Sequence, residues 1–200
     1  MSPSAPGDAL RLERYLALLA QWNAAYNLTA IRDVTQMRTQ HLADCLAVVE
    51  PLRGHLGAAG RPVRILDVGS GGGLPGVVLA LADPGWQVTC VDTVGKKAAF
   101  IRQVAAELAL PNLHVEQARV EELRADPFDV ITSRAFASLA DFARLTRHLI
   151  APQGVWMAMK GKQPADEMAA LPADIEAFHV EPLIVPGLDA ERCLVWMRPR

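Results

Sequence analysis

The feature that most constrains this chain is an apolar strand that runs directly into a glycine-rich turn. Residues 64–76 read Arg-Ile-Leu-Asp-Val-Gly-Ser-Gly-Gly-Gly-Leu-Pro-Gly, so five glycines and a proline follow the strand. Glycine lacks a Cβ and reaches positive φ, so such a turn can tighten and direct its N–H groups at a ligand where the next helix begins. The segment therefore predicts a strand–turn–helix unit that approaches a nucleotide-like ligand closely.

Composition narrows the possible classes of protein. The 200 residues are 51% hydrophobic, enough for one substantial core, and the net charge of -2 excludes a polycationic binder while allowing a local basic face. Cys45, Cys90 and Cys193 lack the spacing of a zinc or redox site, so we expect reduced thiols and no metal. Residues 1–8 do not resemble a signal peptide, and no uncharged run reaches the roughly 18 residues of a membrane span. We expect a soluble, cytoplasmic protein that does not bind membranes.

Two helices are predicted ahead of the glycine turn. Apolar residues at helical spacing from Leu10 to Trp22 predict the first, and the second is expected over Val34 to Leu52. The side chains expected to face inward on the second helix are His41, Leu42, Cys45, Leu46 and Val49. A glycine-rich connection over residues 55–62 follows. We therefore expect a helical cap over residues 1–55 and an α/β domain over residues 56–200, packed as one compact unit.

Short apolar strands alternate with helices after residue 63, which predicts a doubly wound, mostly parallel sheet. The seven predicted strands are 64–68, 87–92, 113–118, 128–133, 154–160 and a closing antiparallel edge pair, 178–185 and 192–198. The predicted helices are 76–82, 96–108 and 139–149, with a short turn over 120–123. Ligands of such sheets bind beyond the carboxyl ends of the strands, which is where the glycine turn lies.

The glycine turn fits two nucleotide-binding motifs. Gly69, Gly71 and Gly73 form G-x-G-x-G, whereas the phasing that ends at Gly76 gives the G-x-G-x-x-G of dinucleotide enzymes. Asp67 favours the first reading, because dinucleotide enzymes usually have an apolar residue there. A carboxylate at this position can orient the loop and an aminoacyl ammonium.

Polar residues follow the next three strands. Asp92 ends the second strand, where a carboxylate accepts both ribose hydroxyls of an adenosine, in NAD and S-adenosylmethionine alike. Glu121 follows the third strand and is a candidate to meet the adenine amino group. Arg134 ends the fourth strand and can clamp a phosphate or the cofactor carboxylate. A purely structural role for each of these side chains stays open.

Basic residues near the strand ends predict a rim that neutralises phosphates. The residues of this predicted rim are Lys160, Lys162, Arg134, Arg144, Arg147, Arg32 and Arg38. Scattered solubilising charges are the alternative interpretation. The chain lacks a G-x-S-x-G elbow, a G-x-x-x-x-G-K-[ST] loop and an H-E-x-x-H pair, which argues against a hydrolase, an NTPase and a zinc enzyme.

Six motifs occur in one order and resemble the RsmG (GidB) family of bacterial small-subunit rRNA methyltransferases over nearly the whole chain. They are Asn27-Leu28-Thr29, His41-x-x-Asp44, residues 67–76, Arg119-Val120-Glu121-Glu122, Ser133-Arg134-Ala135-Phe136-Ala137-Ser138 and Met159-Lys160-Gly161. Cys45 stands where the family usually has Ser, and Gly72 where Pro or Ala is commoner. Neither departure alters a group that the chemistry requires.

The resemblance implies a class I S-adenosylmethionine-dependent methyltransferase with a Rossmann-like sheet and no metal. Its implied reaction methylates N7 of a guanine, position 527 by convention, in 16S rRNA of the small ribosomal subunit. The cofactor contacts it implies are Gly69, Gly71, Leu74, Asp92, Thr93, Val94, Val120, Glu121 and Arg134.

The implied acceptor also explains a missing motif. Enzymes that methylate exocyclic amines commonly carry Asp/Asn-Pro-Pro-aromatic after the fourth strand, and this chain does not. Guanine N7 already carries a free lone pair, so positioning is most of the task. Arg134 and Lys160 are the candidates for this positioning, and Phe136 or a cap aromatic is the candidate stacking partner for the base.

We expect a monomer. A methyltransferase of small molecules or proteins, an NAD-dependent dehydrogenase and an inactive RNA-binding module remain alternatives.

Overall fold

The computed structural model describes residues 6–57 and 60–200, so the beginning of the predicted cap and the centre of the predicted connection lie outside the described residues. The helical segment before the sheet, which we call the cap, begins with α1 (Pro6–Tyr26) and continues through α2 (Val34–Met37), a π-helical segment (Arg38–Ala43), α3 (Asp44–Leu46) and α4 (Val49–Leu56). The prediction of α1 is confirmed, with Leu10 on its exposed side.

The single second helix predicted over Val34 to Leu52 was wrong. A π-helical segment interrupts it at Arg38–Ala43, a turn follows at residues 47–48, and the helical structure continues to Leu56. Because a π-turn adds a residue to the turn, the residues after it rotate about the axis relative to an α-helical register. Leu46, expected to face inward, is consequently exposed, whereas Cys45 and Val49 are buried as expected.

The seven predicted strands are confirmed as one sheet in the order β3-β2-β1-β4-β5-β7-β6. The strands are β1 (Val63–Val68), β2 (Trp86–Asp92), β3 (Leu113–Gln117), β4 (Phe128–Arg134), β5 (Ile150–Lys160), β6 (Ile175–Leu183) and β7 (Arg192–Pro199). The first five pair in parallel, and β7 runs antiparallel to both of its neighbours, β5 and β6. The antiparallel strand therefore lies one place in from the edge, and β6 is the outermost strand.

Helices cover both faces of this sheet. They are α5 (Gly76–Ala82), α6 (Gly95–Glu107), α7 (Leu139–Thr146) and α8 (Ala165–Ala169), with 3-10 turns at Val120–Glu122 and Arg147–Leu149. One core cluster joins α1, α5 and α6 to one face, with Ile65 and Val88 among its members, and a second joins α7 to the other face, with Leu66 and Ile131. Among the elements of the described residues, only α8 has no counterpart among the predicted ones.

The core also accounts for the cysteines. Cys45, Cys90 and Cys193 are buried free thiols, and no group of three or more potential metal ligands occurs within residues 6–57 and 60–200. In the same part of the chain, no helix combines the length and the hydropathy needed to cross a membrane.

Candidate functional site

The glycine turn leaves β1 at the centre of the sheet, between the ends of β2 and β4. Gly69, Gly71 and Gly73 have φ of 67°, 58° and 84°, which makes the G-x-G-x-G glycines the ones in the left-handed region. The Gly69 N–H donates to the Val91 carbonyl oxygen at 2.9 Å, which ties the turn to β2. Gly76 is needed for a different reason, because a Cβ there would collide with the Cys90 sulfur.

Asp67 stabilises the glycine turn through hydrogen bonds. Its Oδ2 accepts the Gly76 N–H at 3.0 Å, and its main-chain carbonyl oxygen accepts the Ser70 hydroxyl at 2.8 Å. Burial raises the pKa of this carboxyl to about 6, and Oδ1 has no hydrogen-bond partner among the described residues. The side chain is fully buried and lines neither cavity described below, so the geometry supports the expected role in orienting the loop and does not support contact with an aminoacyl ammonium.

A cavity of about 430 Å³ lies beyond the ends of β1 to β4, and we call it the strand-end cavity. It is lined by Val68, Gly69, Val91, Asp92, Thr93, Val94, Lys97, Ala118, Arg119, Val120, Glu121, Ala135, Phe136 and Leu145. Asp92 is held with its Oδ2 accepting the Gly71 N–H and its Oδ1 accepting the Val94 N–H, both at 2.9 Å. Each oxygen keeps a lone pair, and the carboxylate is therefore oriented and able to accept a pair of hydroxyls.

The far wall of the strand-end cavity is built from Val120 and Glu121. Val120 is buried, whereas Glu121 is an exposed side chain whose Oε1 lies 2.8 Å from Arg119 Nη2. Hydrogen bonds from its own N–H and from Arg119 lower the pKa of Glu121, which keeps it an acceptor. Phe136 closes the cavity at the glycine turn, where a Cβ on Gly69 would lie 2.8 Å from the Phe136 ring.

A second cavity, of about 610 Å³, opens between the cap and the ends of β4 and β5, and we call it the cap cavity. It is lined by Leu19, Leu28, Thr29, Ile31, Gln40, His41, Asp44, Gly69, Ser70, Gly71, Gly72, Leu74, Arg134, Ala135, Met159, Lys160, Gly161 and Arg192. Gly69 and Ala135 belong to the walls of both cavities, so the cavities adjoin there. Ala135 has a φ of 55°, a conformation that is rare outside glycine and often found at functional sites.

Arg134 joins the sheet to the cap inside the cap cavity. Its Nη1 donates to His41 Nδ1 at 3.2 Å and lies 3.8 Å from Asp44 Oδ2. Arg192, at the start of β7, donates through Nε to Asp44 Oδ1 at 2.9 Å. The almost fully buried Asp44 carboxylate is thus held between two arginines, each only about one-quarter exposed.

The protonation of His41 follows from its partners. Arginine has only donors, so His41 Nδ1 must be the acceptor, and the proton of the neutral ring resides on Nε2. Burial first, and the Arg134 charge second, lower the pKa of His41 to about 4 against a smaller opposing effect of the Gln40 backbone, so the ring is neutral at neutral pH. The Nε2–H then donates to Thr29 Oγ1 at 2.6 Å. A chain of defined donors therefore runs from Arg134 through His41 to Thr29.

The loop that carries Thr29 is itself fixed. The buried Asn23 side chain accepts the Thr29 N–H and donates to the Ile31 carbonyl oxygen, both at 2.8 Å. The Ile31 N–H donates to Thr29 Oγ1 at 3.3 Å. These hydrogen bonds fix the backbone of the loop at Thr29 and Ile31, so the loop forms a defined part of the cavity wall.

Most of the predicted basic rim is engaged elsewhere. Arg144 pairs with Asp141, Arg38 with Glu13, Arg32 donates to the Asn27 side chain, and Arg147 lies over the Trp156 ring. Lys162 is exposed and lines neither cavity. Only Arg134 and Lys160 of the predicted rim line the cap cavity, and Lys160 donates to Glu167 and to the Ala137 carbonyl oxygen. The structure thus brings Arg134 and Lys160 of the predicted rim to the cap cavity, and phosphate contacts by the other members stay a prediction.

All ten predicted site residues line one of the two cavities. Gly71, Leu74, Arg134 and Lys160 lie in the cap cavity, Gly69 lies in both, and Asp92, Thr93, Val94, Val120 and Glu121 lie in the strand-end cavity. Phe136 belongs to the strand-end cavity rather than to the cap cavity, whose described lining contains Leu, Ile and Met side chains and no Phe, Tyr or Trp. The expected aromatic partner for a base in the cap cavity is thus not seen.

Arg192 is the site residue that the sequence did not reveal. It follows Asp44 by 148 positions, and no motif links the two. Thr29 and Asp44 stood out only as parts of the family resemblance, and His41 was also expected to face inward on the predicted second helix. Their assembly around Arg134 depends on the way the cap packs on the sheet.

Sequence comparison gives consistent matches. A family model described as rRNA small subunit methyltransferase G matches residues 9–195. The protein called ribosomal RNA small subunit methyltransferase G from Leptothrix cholodnii is 63% identical over 99% of this chain and 90% of its own length. The protein of the same name from Methylibium petroleiphilum is 62% identical over 95% of this chain and 90% of its own length.

Solved structures agree on the fold. TrmN from Thermus thermophilus superposes with a TM-score of 0.58 at 21% identity, covering 77% of this chain and 49% of that one. A coclaurine N-methyltransferase bound to N-methylheliamine and SAH gives a TM-score of 0.59 at 12% identity, covering 92% of this chain and 69% of that one. These likenesses establish the methyltransferase class of fold.

Proposed function

This chain belongs to the family of rRNA small subunit methyltransferases G, and from that premise we propose that it transfers a methyl group from S-adenosylmethionine to N7 of a guanine in 16S rRNA. The transfer would take place where the strand-end cavity and the cap cavity adjoin, at Gly69 and Ala135. The substrate would be the rRNA of the small ribosomal subunit.

The residues of the strand-end cavity fit the adenosine half of this cofactor. Asp92 is oriented to accept the two ribose hydroxyls, and Val120 offers an apolar contact beside the carboxylate of Glu121 for an adenine amino group. Gly69 has no room for a Cβ because the Phe136 ring packs against it, so the two residues together form the wall of the cavity at the glycine turn. We propose Gly69, Asp92, Thr93, Val94, Val120 and Glu121 as the adenosine contacts.

The cap cavity fits the methionyl half and the acceptor base. We propose that Arg134 faces the methionyl carboxylate, near Gly71 and Leu74, because it is the buried cation that adjoins the glycine turn. When bound, the cofactor supplies a methyl group on a positively charged sulfur. Lys160 is held by Glu167 and Ala137, which supports a role in fixing the wall of the cavity.

The N7 assignment rests on one observation, which is that the two potential general bases in the cap cavity, His41 and Asp44, are both occupied by protein donors. His41 Nδ1 accepts from Arg134 and its Nε2 carries a proton, while Asp44 is paired with two arginines. Neither is available to remove a proton from an acceptor. Guanine N7 needs no such step, because it presents a lone pair at neutral pH.

Positioning is then the chief contribution of the protein. Holding N7, the methyl carbon and the sulfur in line can lower the barrier by roughly 7 to 11 kcal/mol. N7 lies in the deep, narrow major groove of an RNA helix, so the base must be splayed out or lie in a loop to enter the cap cavity. The aliphatic side chains of Leu19, Leu28 and Met159 would pack against it.

The test uses labelled S-adenosylmethionine and small subunits that lack the modification. We expect label in 16S rRNA and, after borohydride reduction and aniline scission, cleavage at one guanine. The matched negative control is Asp92→Asn, which should bind cofactor poorly and give little label. Label without cleavage, or cleavage at many guanines, would contradict the N7 assignment. Sedimentation equilibrium tests the accompanying proposal of a monomer, which a stable dimer would exclude.

A further inference from the structure

The Thr29 hydroxyl is a hydrogen-bond donor whose proton has no acceptor among the residues that the structure describes. Both lone pairs of Oγ1 are used, one by His41 Nε2–H at 2.6 Å and one by the Ile31 N–H at 3.3 Å. With the proton of His41 on Nε2, no hydrogen bond donated by this hydroxyl is found among residues 6–57 and 60–200. Because Thr29 lines the cap cavity, its proton is available to a ligand there.

The donor role of Thr29 is imposed by the residues behind it. If His41 carried its proton on Nδ1, Thr29 could donate to Nε2 instead, but Nδ1 faces the Arg134 guanidinium, which can only donate. The low pKa of His41, caused mainly by burial, also excludes a doubly protonated ring at neutral pH. His41 is thus a positioning residue that fixes the direction of the Thr29 hydrogen bond.

The other hydroxyl group and the cationic side chains that line the cap cavity already donate to protein acceptors. The Ser70 hydroxyl donates to the Asp67 carbonyl oxygen, and Lys160 donates to Glu167 and Ala137. Arg192 donates through Nε to Asp44 and through Nη1 to the Glu191 carbonyl oxygen, and its remaining N–H groups belong to a cation already paired with a carboxylate. Thr29 therefore stands out as a neutral, half-buried donor held in one place.

The edge of a purine that carries N7 also carries the group at position 6. In guanine this group is O6, an acceptor, whereas in adenine it is an amino group, a donor. A fixed donor beside the reacting nitrogen therefore accepts guanine and meets another donor in adenine. Sites built to hydrogen-bond a substrate group discriminate strongly against analogues that leave the site unpaired.

We propose that the Thr29 hydroxyl, held as a donor by His41 and Ile31, binds O6 of the target guanine and thereby selects guanine over other purines. This inference rests on the proposed function and adds a specificity-determining residue to it. The step itself is a hydrogen bond, and no proton is transferred.

The experiment measures the coupling between the Thr29 hydroxyl and position 6 of the base. Small subunits are reconstituted from rRNA carrying guanine, inosine or 2-aminopurine at the target position. Inosine keeps O6 and lacks the 2-amino group, whereas 2-aminopurine lacks O6 and keeps N7. For the unsubstituted protein, we expect inosine to react nearly as well as guanine, and 2-aminopurine to lower kcat/KM by about 10- to 100-fold.

Thr29→Val removes the hydroxyl and keeps the shape of the side chain. We expect it to lower kcat/KM for guanine by about 10- to 100-fold, so that guanine and 2-aminopurine then react with the same kcat/KM. Thr29→Ser keeps the hydroxyl and should restore the preference for O6. Calorimetry with S-adenosylhomocysteine on each variant shows that the fold and the cofactor site are intact.

The possible failures are distinct. If the unsubstituted protein does not methylate N7 of guanine at all, the proposed function fails. If it does so, but Thr29→Val retains the full preference for O6, the inference about Thr29 is wrong. It is equally wrong if Thr29→Ser is as impaired as Thr29→Val, because the hydroxyl would then not be the group that matters.

Discussion

The two adjoining cavities are built in different ways. In the strand-end cavity, Asp92 is held by N–H groups of the neighbouring glycine turn and of its own strand end. In the cap cavity, the key bonds join side chains that are 93 and 148 positions apart, Arg134 to His41 and Arg192 to Asp44. The first cavity therefore depends on local sequence, and the second on the docking of the cap.

Arg134→Ala should give the largest effect, because this side chain ties the cap to the sheet. The substitution leaves His41 without its donor and Asp44 with Arg192 alone. Removing one partner of such a buried charged pair costs 2–5 kcal/mol in known interfaces, so we expect kcat/KM to fall roughly 100- to 1000-fold. The measurement is methyl transfer to small subunits.

The same variant tests how far the two cavities are independent. Arg134→Ala should weaken binding of S-adenosylhomocysteine, which has the methionyl carboxylate, and leave 5′-methylthioadenosine, which lacks it, almost unaffected. Arg198→Ala removes an arginine that pairs with Glu176 on the far edge strands and serves as the control, with activity within about twofold of the unsubstituted protein. Equal loss for both ligands would contradict the division between the cavities.

The fold was predictable because the strong signals are local. Apolar runs of strand length and the helix signals around Lys96 and Leu139 depend on near neighbours, and the structure confirms these elements to within a few residues. The broken helix after Val34 was not predictable, because its π-helical segment carries no proline or glycine. The short α8 was missed because five residues contain too little periodicity to recognise.

The candidate site divides along the same line. Asp92 and Glu121 were found because each follows a strand end, and strand ends of a parallel sheet converge. Arg134 was found for that reason, but its partners were not. Asp44 and Arg192 meet only in three dimensions, and the pairs of Arg144 with Asp141 and of Arg38 with Glu13 were likewise not predicted.

Gly69→Ala should give the next largest effect and tests the shared wall of the cavities. Its φ of 67° disfavours any side chain, by about 1–2 kcal/mol, and the new Cβ would lie 2.8 Å from Phe136, adding roughly 1–3 kcal/mol of overpacking. Gly71→Ala is the matched control, because Gly71 has a similar φ of 58° and a Cβ there would lie 3.9 Å from the Gly69 carbonyl oxygen. Urea unfolding should show the larger loss of stability for Gly69→Ala, and equal losses would mean that the Phe136 contact is unimportant.

Asp92→Asn should give a smaller effect, confined to the strand-end cavity. The two carboxylate oxygens of Asp92 accept the Gly71 and Val94 N–H groups. An amide has only one acceptor oxygen, so its NH2 group would face one of these N–H donors. We expect about 10- to 100-fold weaker binding of both S-adenosylhomocysteine and 5′-methylthioadenosine, with binding of small subunits unchanged. Titration calorimetry measures both ligands, and a loss restricted to S-adenosylhomocysteine would contradict the assignment of Asp92 to the ribose.

The smallest effect concerns pH, because His41 and Asp67 act in opposite directions. The pKa of His41 is lowered from 6.5 to about 4, so between these values the unfolded chain holds a proton that the folded chain does not, and stability is lost as the pH falls. The pKa of Asp67 is raised from 3.8 to about 6, so between those values the folded chain holds the extra proton, and stability is gained as the pH falls. Over the shared range the two slopes, each at most about 1.4 kcal/mol per pH unit, oppose each other.

Single substitutions should separate the contributions of His41 and Asp67 to the pH dependence of the free energy of unfolding. The free energy of unfolding, measured by urea titration from pH 6.5 to pH 4, should fall less steeply with decreasing pH in His41→Gln than in the unsubstituted protein. It should fall more steeply in Asp67→Asn. His55, whose pKa burial also lowers, is present in every variant, so its contribution cancels in the difference curves. If His41→Gln left the slope unchanged, His41 would titrate as an exposed histidine, and the fixed donor chain from Arg134 to Thr29 would lose its electrostatic basis.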